Sequence, residues 1–124
     1  MTKIVLAGCA ILRDNKLVLI RKHDKDIWEL PGGRSKEGEE EQTAVEKTAN
    51  QIGVEPEIIQ HFTMFEYQVD GTDVEAAIFE GHIPSETVFT PSKNTAEVAW
   101  FDIKDLPKDV GDDVKAIIEE YSQY

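Results

Sequence analysis

Alternating runs of hydrophobic and polar residues predict two β-hairpins, one within residues 3–22 and the other within residues 57–83. The strand-like runs cover residues 3–12, 17–22, 57–69 and 73–83. Asp14-Asn15 separates the first two runs, and Asp70-Gly71 separates the other two. Such pairs favour the tight turns of hairpins, because Asn, Asp and Gly tolerate a positive φ. We therefore expect two antiparallel hairpins.

The segments around these hairpins predict two helices and one more strand. Residues 40–52 begin with acids and are followed by Gly53, as expected for a helix with a glycine C-cap. The remaining segments are an ordered loop at 23–39, a polar loop at 84–95, a short strand at 97–102 and a last helix at 110–121. This order predicts one α+β domain over residues 1–124, an α/β/α sandwich with a mixed β-sheet between helices.

Composition and charge narrow the classes of function. The net charge of −12, from 25 acids against 13 bases, opposes binding to long nucleic acids, whose phosphates require a basic surface. A small phosphate compound remains compatible where a divalent cation or local Arg and Lys side chains intervene. No apolar run approaches the roughly 20 residues of a membrane span, so we expect a cytoplasmic protein. Cys9 is the only cysteine, which excludes an internal disulfide and favours a buried, inert thiol.

The most informative segment joins a glycine-rich loop to the first helix. Trp28-Glu29-Leu30-Pro31-Gly32-Gly33 precedes Gly38-Glu39, and the helix closes on Gly53-Val54. Glycines let a backbone approach a ligand closely, and a helix N-terminus offers free N–H groups to an anion. A plain structural turn explains Pro-Gly-Gly equally well when that tripeptide is taken alone.

The wider context resembles the Nudix hydrolase family over nearly the whole chain. Besides the loop and helix, Glu97–Phe101 followed by Asp105-Leu106-Pro107 is similar to the family's final strand and last helix. The resemblance implies a Nudix-type fold and an activity on a nucleoside diphosphate linked to another group. It also implies Mg²⁺ or Mn²⁺ as a cofactor, and dimers are common among similar proteins, so a homodimer is compatible with it.

The match to the family's box of residues is incomplete at the helix. Gly33 and Glu39 fit with the required gap of five residues. Counting back from Gly53, the family's Arg-Glu pair becomes Glu46-Lys47 and its Glu-Glu pair becomes Asn50-Gln51. One residue is also missing between Glu39 and Glu46, and shifting the alignment by one does not recover the acids. The resemblance is therefore to a Nudix protein with a degenerate box.

These substitutions fall where the family holds its metal. Positions 47, 50 and 51 share one helix face, and in the family they carry glutamates that bind the divalent ion. Hard cations prefer anionic oxygens, whereas Lys47, Asn50 and Gln51 offer one cation and two neutral amides. We expect metal binding in the usual arrangement to be badly weakened. Glu39 and Glu46, with the Asn50 and Gln51 oxygens, are the candidates for a displaced metal site, although an acidic, solvated helix start explains these glutamates as well.

Several other residues are candidates by resemblance. Glu46 and Glu97 are candidate catalytic groups, and the candidate phosphate- or nucleotide-binding residues are Arg21, Trp28, Gly32, Gly33 and Lys47. Ordinary packing or exposure explains Arg21, Trp28 and Glu97 equally simply. Two classes of function follow. One is a module that binds a nucleotide-type ligand or a protein partner with weak or lost hydrolysis, and the other is a pyrophosphohydrolase with a rearranged metal site.

Overall fold

The computed structural model describes residues 3–121, which form seven strands and two helices. The strands are β1 (Ile4–Arg13), β2 (Lys16–Lys22), β3 (Trp28–Glu29), β4 (Gly32–Ser35), β5 (Glu57–Val69), β6 (Thr72–His82) and β7 (Thr95–Asp102). The helices are α1 (Glu40–Ile52) and α2 (Asp112–Tyr121). Both hairpin turns predicted from the sequence are present, with positive φ at Asp14, Asn15, Asp70 and Gly71. No helix in this part of the chain is long and apolar enough to cross a membrane.

The strands form a mixed sheet, as the sequence predicts. Strand β1 pairs with β2 beside the turn, where Leu12 lies opposite Leu17. Further along, β1 leaves β2 and runs parallel to β6 from Ile4 to Ile11, while β4 pairs antiparallel with its other side. Strand β2 instead pairs with β3 and β7. The first hairpin therefore splays open, and the space between its strands admits the glycine-rich segment.

Each face of the sheet is covered by one helix, which completes the predicted sandwich. Helix α2 buries Val114 and Ile117 in a cluster with β1, β2 and β6 residues. Helix α1 buries Ala44, Thr48 and Ile52, whose spacing places them on one side of the helix. The flank of α1 beside this stripe, with Lys47 and Gln51, faces the glycine-rich segment, so the core contacts of this helix fix where these side chains lie.

The structure differs from the sequence prediction mainly within residues 23–39. That segment was predicted as a loop, yet it contains the short strands β3 and β4. In β4, Gly32 and Gly33 lack the side chains by which a strand is predicted from sequence, but they pair with Gly8 and Ala7 of β1. The other differences are shifts of a boundary by one or two residues, and the two-residue shifts are the starts of β7 at Thr95 and of α2 at Asp112.

Candidate functional site

A cleft of about 620 Å³ lies between the start of α2, the glycine-rich segment and one face of the sheet. We call it the cleft and define it by three sets of residues. The floor is apolar: Leu6, Ala7, Gly8, Ala76, Ile78 and Tyr67. The wall is Leu30–Gly33 together with Gly111 and Asp113. The rim carries Lys22, Lys25, Ile27, Glu29 and Arg34. An apolar floor with a few charged groups at its edge suits a small ligand that has both a ring and charged groups.

Gly32 gives the wall its shape, and no other residue fits its position. Its φ of 147° lies in a region that side chains avoid. A Cβ there would lie 2.2 Å from the Ala7 carbonyl oxygen and 2.6 Å from the Gly8 Cα. The peptide is anchored on β1, where the Cys9 N–H donates to the Pro31 carbonyl over 3.0 Å. The glycine-rich segment therefore lies tightly against β1.

Gln51 of α1 holds the same glycine through two hydrogen bonds. The Gly32 N–H donates to Gln51 Oε1 over 2.8 Å, and Gln51 Nε2 donates to the Gly32 carbonyl over 2.9 Å. The reversed amide would place donor against donor and acceptor against acceptor, so the two contacts fix its orientation. One side chain thereby satisfies both backbone groups of a residue in the wall.

The other α1 candidates lie along the exposed side of the helix. The methylene groups of Lys47 cover Gly33, since a Cβ built on that glycine would lie 3.5–3.7 Å from them. Asn50 is exposed. Glu46 is also exposed, and it accepts a hydrogen bond from Gln42 over 2.9 Å. Glu39 is exposed at the helix start, where its side chain makes no capping bond. The structure thus brings Lys47 and Gln51, and not the two glutamates, against the glycine-rich segment.

Arg21 and Glu97 are brought together with each other. Arg21 Nη2 lies 2.6 Å from Glu97 Oε1, and Arg21 Nε donates to the same oxygen over 3.0 Å. Arg21 Nη1 also donates to the Lys25 carbonyl over 3.3 Å. The guanidinium therefore ties β2 to β7 and to the following turn. In this conformation it neutralises the carboxylate of Glu97, and neither residue lines the cleft.

Trp28 packs beside the cleft and connects it to α2. Its ring meets Phe101 edge to face, with 4.7 Å between centroids. The backbone N–H of Trp28 donates to the Asp109 carbonyl, and the backbone carbonyl of Trp28 accepts from the Gly111 N–H, each over 2.9 Å. These two bonds fix the chain that enters α2. The observed contacts of Trp28 are those of a packing residue, and they position Asp113.

Asp113 is a cleft residue that the sequence reading did not single out. Its carboxylate accepts from the Val114 N–H over 2.8 Å and from the Leu30 N–H over 3.3 Å. Burial raises the pKa of this carboxyl from 3.8 to about 6, with a smaller increase from Glu29 and opposing effects of the two N–H groups. An Asp at the start of a helix reads as an ordinary cap, so the sequence carries no signal of this burial.

Two cations of the rim, Lys25 and Arg34, were missed for a similar reason, whereas Lys22 ends the second strand beside Arg21 and was a phosphate-binding candidate with it. Lys22, Lys25 and Arg34 are charged residues in or beside short strands and turns, where charge commonly marks a solvated surface. Folding places all three at one opening. Lys22 is paired with Glu29 over 3.4 Å. An acidic protein therefore presents three cations at the cleft against two acids, Glu29 and Asp113.

The residues at the α1 face do not fit a divalent cation. Gln51 directs its N–H group at the Gly32 carbonyl and its oxygen at the Gly32 N–H, so it could offer a cation only the second lone pair of a neutral oxygen. Lys47 adds a positive charge beside Gly33. Among residues 3–121, no three His, Cys, Asp or Glu side chains are grouped so that they could hold an ion. Hard cations require several anionic oxygens, which this face does not supply.

Comparison with protein families identifies the class of protein. The model of the NUDIX domain matches residues 2–121. The chain therefore belongs to the Nudix family, in agreement with the resemblance found in its sequence. No curated protein sequence matches the chain significantly.

Solved structures give the same fold. A MutT NUDIX hydrolase from Burkholderia pseudomallei is similar, with a TM-score of 0.83, 22% identity and coverage of 97% of this chain and 98% of that one. A UDP-X diphosphatase has a TM-score of 0.85 at 21% identity, covering 99% of this chain and 63% of the other. An Ap4A hydrolase from C. elegans has a TM-score of 0.77 at 17% identity, covering 97% and 96%. At these identities the likeness establishes the fold alone.

Proposed function

We propose that this protein binds a nucleoside diphosphate-type ligand in the cleft, and that metal-dependent pyrophosphate hydrolysis of the family's usual kind is weak or lost. One observation carries the proposal: the cleft keeps an apolar floor and a cationic rim, while the adjacent α1 face presents Lys47, Asn50 and Gln51. Binding and catalysis have different requirements, so a cleft can retain the first without the second.

The shape and charge of the cleft support a ligand of this class. A base or sugar would lie over the apolar floor beside Tyr67, because a flat ring buries its faces well against apolar and aromatic side chains. Its phosphates would lie at the rim, near Lys25 and Arg34. A cation that contacts a phosphate directly forms a charge-assisted hydrogen bond and needs no bridging metal.

Hydrolysis is the second candidate, and the side chains of Glu39 and Glu46 favour it. Both are exposed carboxylates near the glycine-rich segment in sequence, and a metal displaced toward them would avoid Gln51. The similar solved structures include proteins described as a diphosphatase and an Ap4A hydrolase. Those descriptions guide the choice of probes.

Turnover and binding assays with one panel distinguish the two candidates. ADP-ribose, UDP-glucose and diadenosine tetraphosphate are each incubated with the protein in Mg²⁺, Mn²⁺ or EDTA, and product release is measured. We expect no robust metal-dependent turnover, together with an increase in melting temperature caused by at least one probe. Metal-dependent turnover by the wild type that disappears in Glu39→Gln or Glu46→Gln would contradict the binding proposal and favour the hydrolase.

A pair of variants tests where the ligand binds. Arg34→Ala removes a rim cation, and we expect it to weaken binding of the stabilising probe about tenfold, the loss of one charge-assisted contact. Lys93→Ala removes the same charge from an exposed residue in the loop before β7 and serves as the control. Equal affinities for the two variants would place the ligand outside the cleft.

A further inference from the structure

The contact between Gln51 and Gly32 depends on an amide, and a carboxylate cannot reproduce it. An amide offers one acceptor and two donors, whereas an ionised carboxylate offers acceptors alone. A glutamate at position 51, as the family box prescribes, could accept from the Gly32 N–H. Its other oxygen would then take the place of Gln51 Nε2, which lies 2.9 Å from the Gly32 carbonyl oxygen. A carboxylate oxygen and a carbonyl oxygen that close repel each other unless a cation or a proton lies between them.

Gln51 needs no such ion, because its own side chain supplies a hydrogen-bond donor at that place. The N–H dipole of Nε2 faces the carbonyl where a carboxylate would need an ion, and the second hydrogen bond leaves the amide no freedom to turn away. The contact also acts on a residue that needs support. The φ of Gly32 is sparsely populated, and its backbone lies so close to β1 that no Cβ would fit between them.

We propose that Gln51 is a positioning residue that takes the place of a bound cation. Its carboxamide holds the backbone N–H and the carbonyl of Gly32, and this keeps the Pro31–Gly33 part of the wall in its binding conformation without divalent metal. The part of the proposal that concerns ligand affinity rests on the proposed function. The part that concerns the conformation of the wall is independent of any ligand.

Two variants separate the amide's chemistry from its shape. Gln51→Glu keeps the shape but replaces the donor by an acceptor at neutral pH, and a protonated carboxyl restores one donor and one acceptor. Gln51→Leu removes both functions at every pH. Asn94→Asp adds the same charge at an exposed residue of the loop before β7 and is the matched control. Lys47, one turn earlier on α1, and Arg34, two residues after Gly32, are cations near the contact and would favour ionisation, so the profile extends down to pH 5.

Thermal unfolding gives the first readout. At pH 7.5 in EDTA we expect Gln51→Glu to melt roughly 5 °C below the wild type, as for an unsatisfied, partly buried carbonyl in a domain of this size. The difference should shrink as the pH falls to 5 and also when Mg²⁺ or Ca²⁺ is added at pH 7.5. Gln51→Leu should remain destabilised throughout, and Asn94→Asp should follow the wild type.

Ligand affinity gives the second readout. In EDTA at pH 7.5 we expect Gln51→Glu to bind the stabilising probe at least tenfold more weakly than the wild type, with recovery at pH 5 or on addition of metal. A Gln51→Glu variant that matches the wild type in melting temperature would overturn the proposal. Loss that parallels Gln51→Leu, with no response to pH or metal, would overturn it as well. If no probe binds the wild type, the proposed function fails while the melting profiles still decide the role of Gln51.

Discussion

The partly buried carboxyl of Asp113 makes a quantitative prediction about stability against pH. Its pKa is raised from 3.8 to about 6 in the folded protein, chiefly by burial. A raised pKa means that the folded state binds the proton more tightly than the unfolded state. The stabilisation is therefore fully present below the unfolded value and is lost as the pH rises through 6. At 1.36 kcal/mol for each pKa unit, the whole effect is about 3 kcal/mol.

Roughly half of this effect falls in an accessible range. Between pH 5 and pH 7.5, above the sequence pI of 4.6, the loss is about 1.5 kcal/mol. The free energy of unfolding is measured by urea denaturation for the wild type and Asp113→Asn at constant ionic strength. As the pH rises, the wild type should lose that amount of unfolding free energy relative to Asp113→Asn, whose side chain does not titrate.

A matched control isolates the buried group. Asp105→Asn makes the same change at an exposed residue before α2, and its difference from the wild type should stay level over the same range. A level difference for Asp113→Asn would show that the carboxyl ionises as it does in water. That result would refute the burial and the placement of Asp113 in the wall of the cleft.

Two further predictions test other parts of the fold. Gly53→Ala should lower the free energy of unfolding by about 3 kcal/mol, because φ is 86° and the new Cβ would lie 2.7 Å from the Thr90 Cβ. Gly71→Ala, with φ of 80° and open space around it, should cost only about 1 kcal/mol, and equal costs in urea denaturation would show that the Thr90 contact is absent. The Cys9 thiol should not react with an aromatic disulfide reagent at pH 8 in the folded state, since burial raises its pKa to about 12. Rapid labelling without denaturant would contradict the burial of Cys9 in the core.

Local sequence patterns were sufficient for every element of the fold except β3 and β4. The bounds of α1 follow from acids in the first turn, an apolar stripe and the glycine at its end, and the structure has the helix at Glu40–Ile52. The two turns follow from residue pairs that tolerate positive φ. In each case the determinants lie within a few residues of each other, so the sequence displays them together. The strands β3 and β4 were missed because the partner that makes Gly32-Gly33 a strand is β1, far away in the chain.

The contacts of the candidate site depend on tertiary structure. Gln51 meets a residue 19 positions away, Arg21 meets Glu97 76 positions away, and Asp113 accepts from Leu30 83 positions away. No local pattern specifies these pairs, because they result from the register of the sheet and the packing of both helices. The sequence identified Gln51 as a substitution at a ligand position. That the Gln51 N–H group stands where a carboxylate would need a cation became visible only from its contact with Gly32 in the structure.

The most direct test of the account measures ligand affinity of the wild type with and without divalent metal. Isothermal titration calorimetry with ADP-ribose, UDP-glucose and diadenosine tetraphosphate is performed in EDTA and again in excess Mg²⁺. We expect that at least one probe binds in EDTA, that its Kd in Mg²⁺ is equal within twofold, and that the probe is recovered intact. Binding that requires Mg²⁺, cleavage of the probe during the titration, or no binding of any probe would contradict the account.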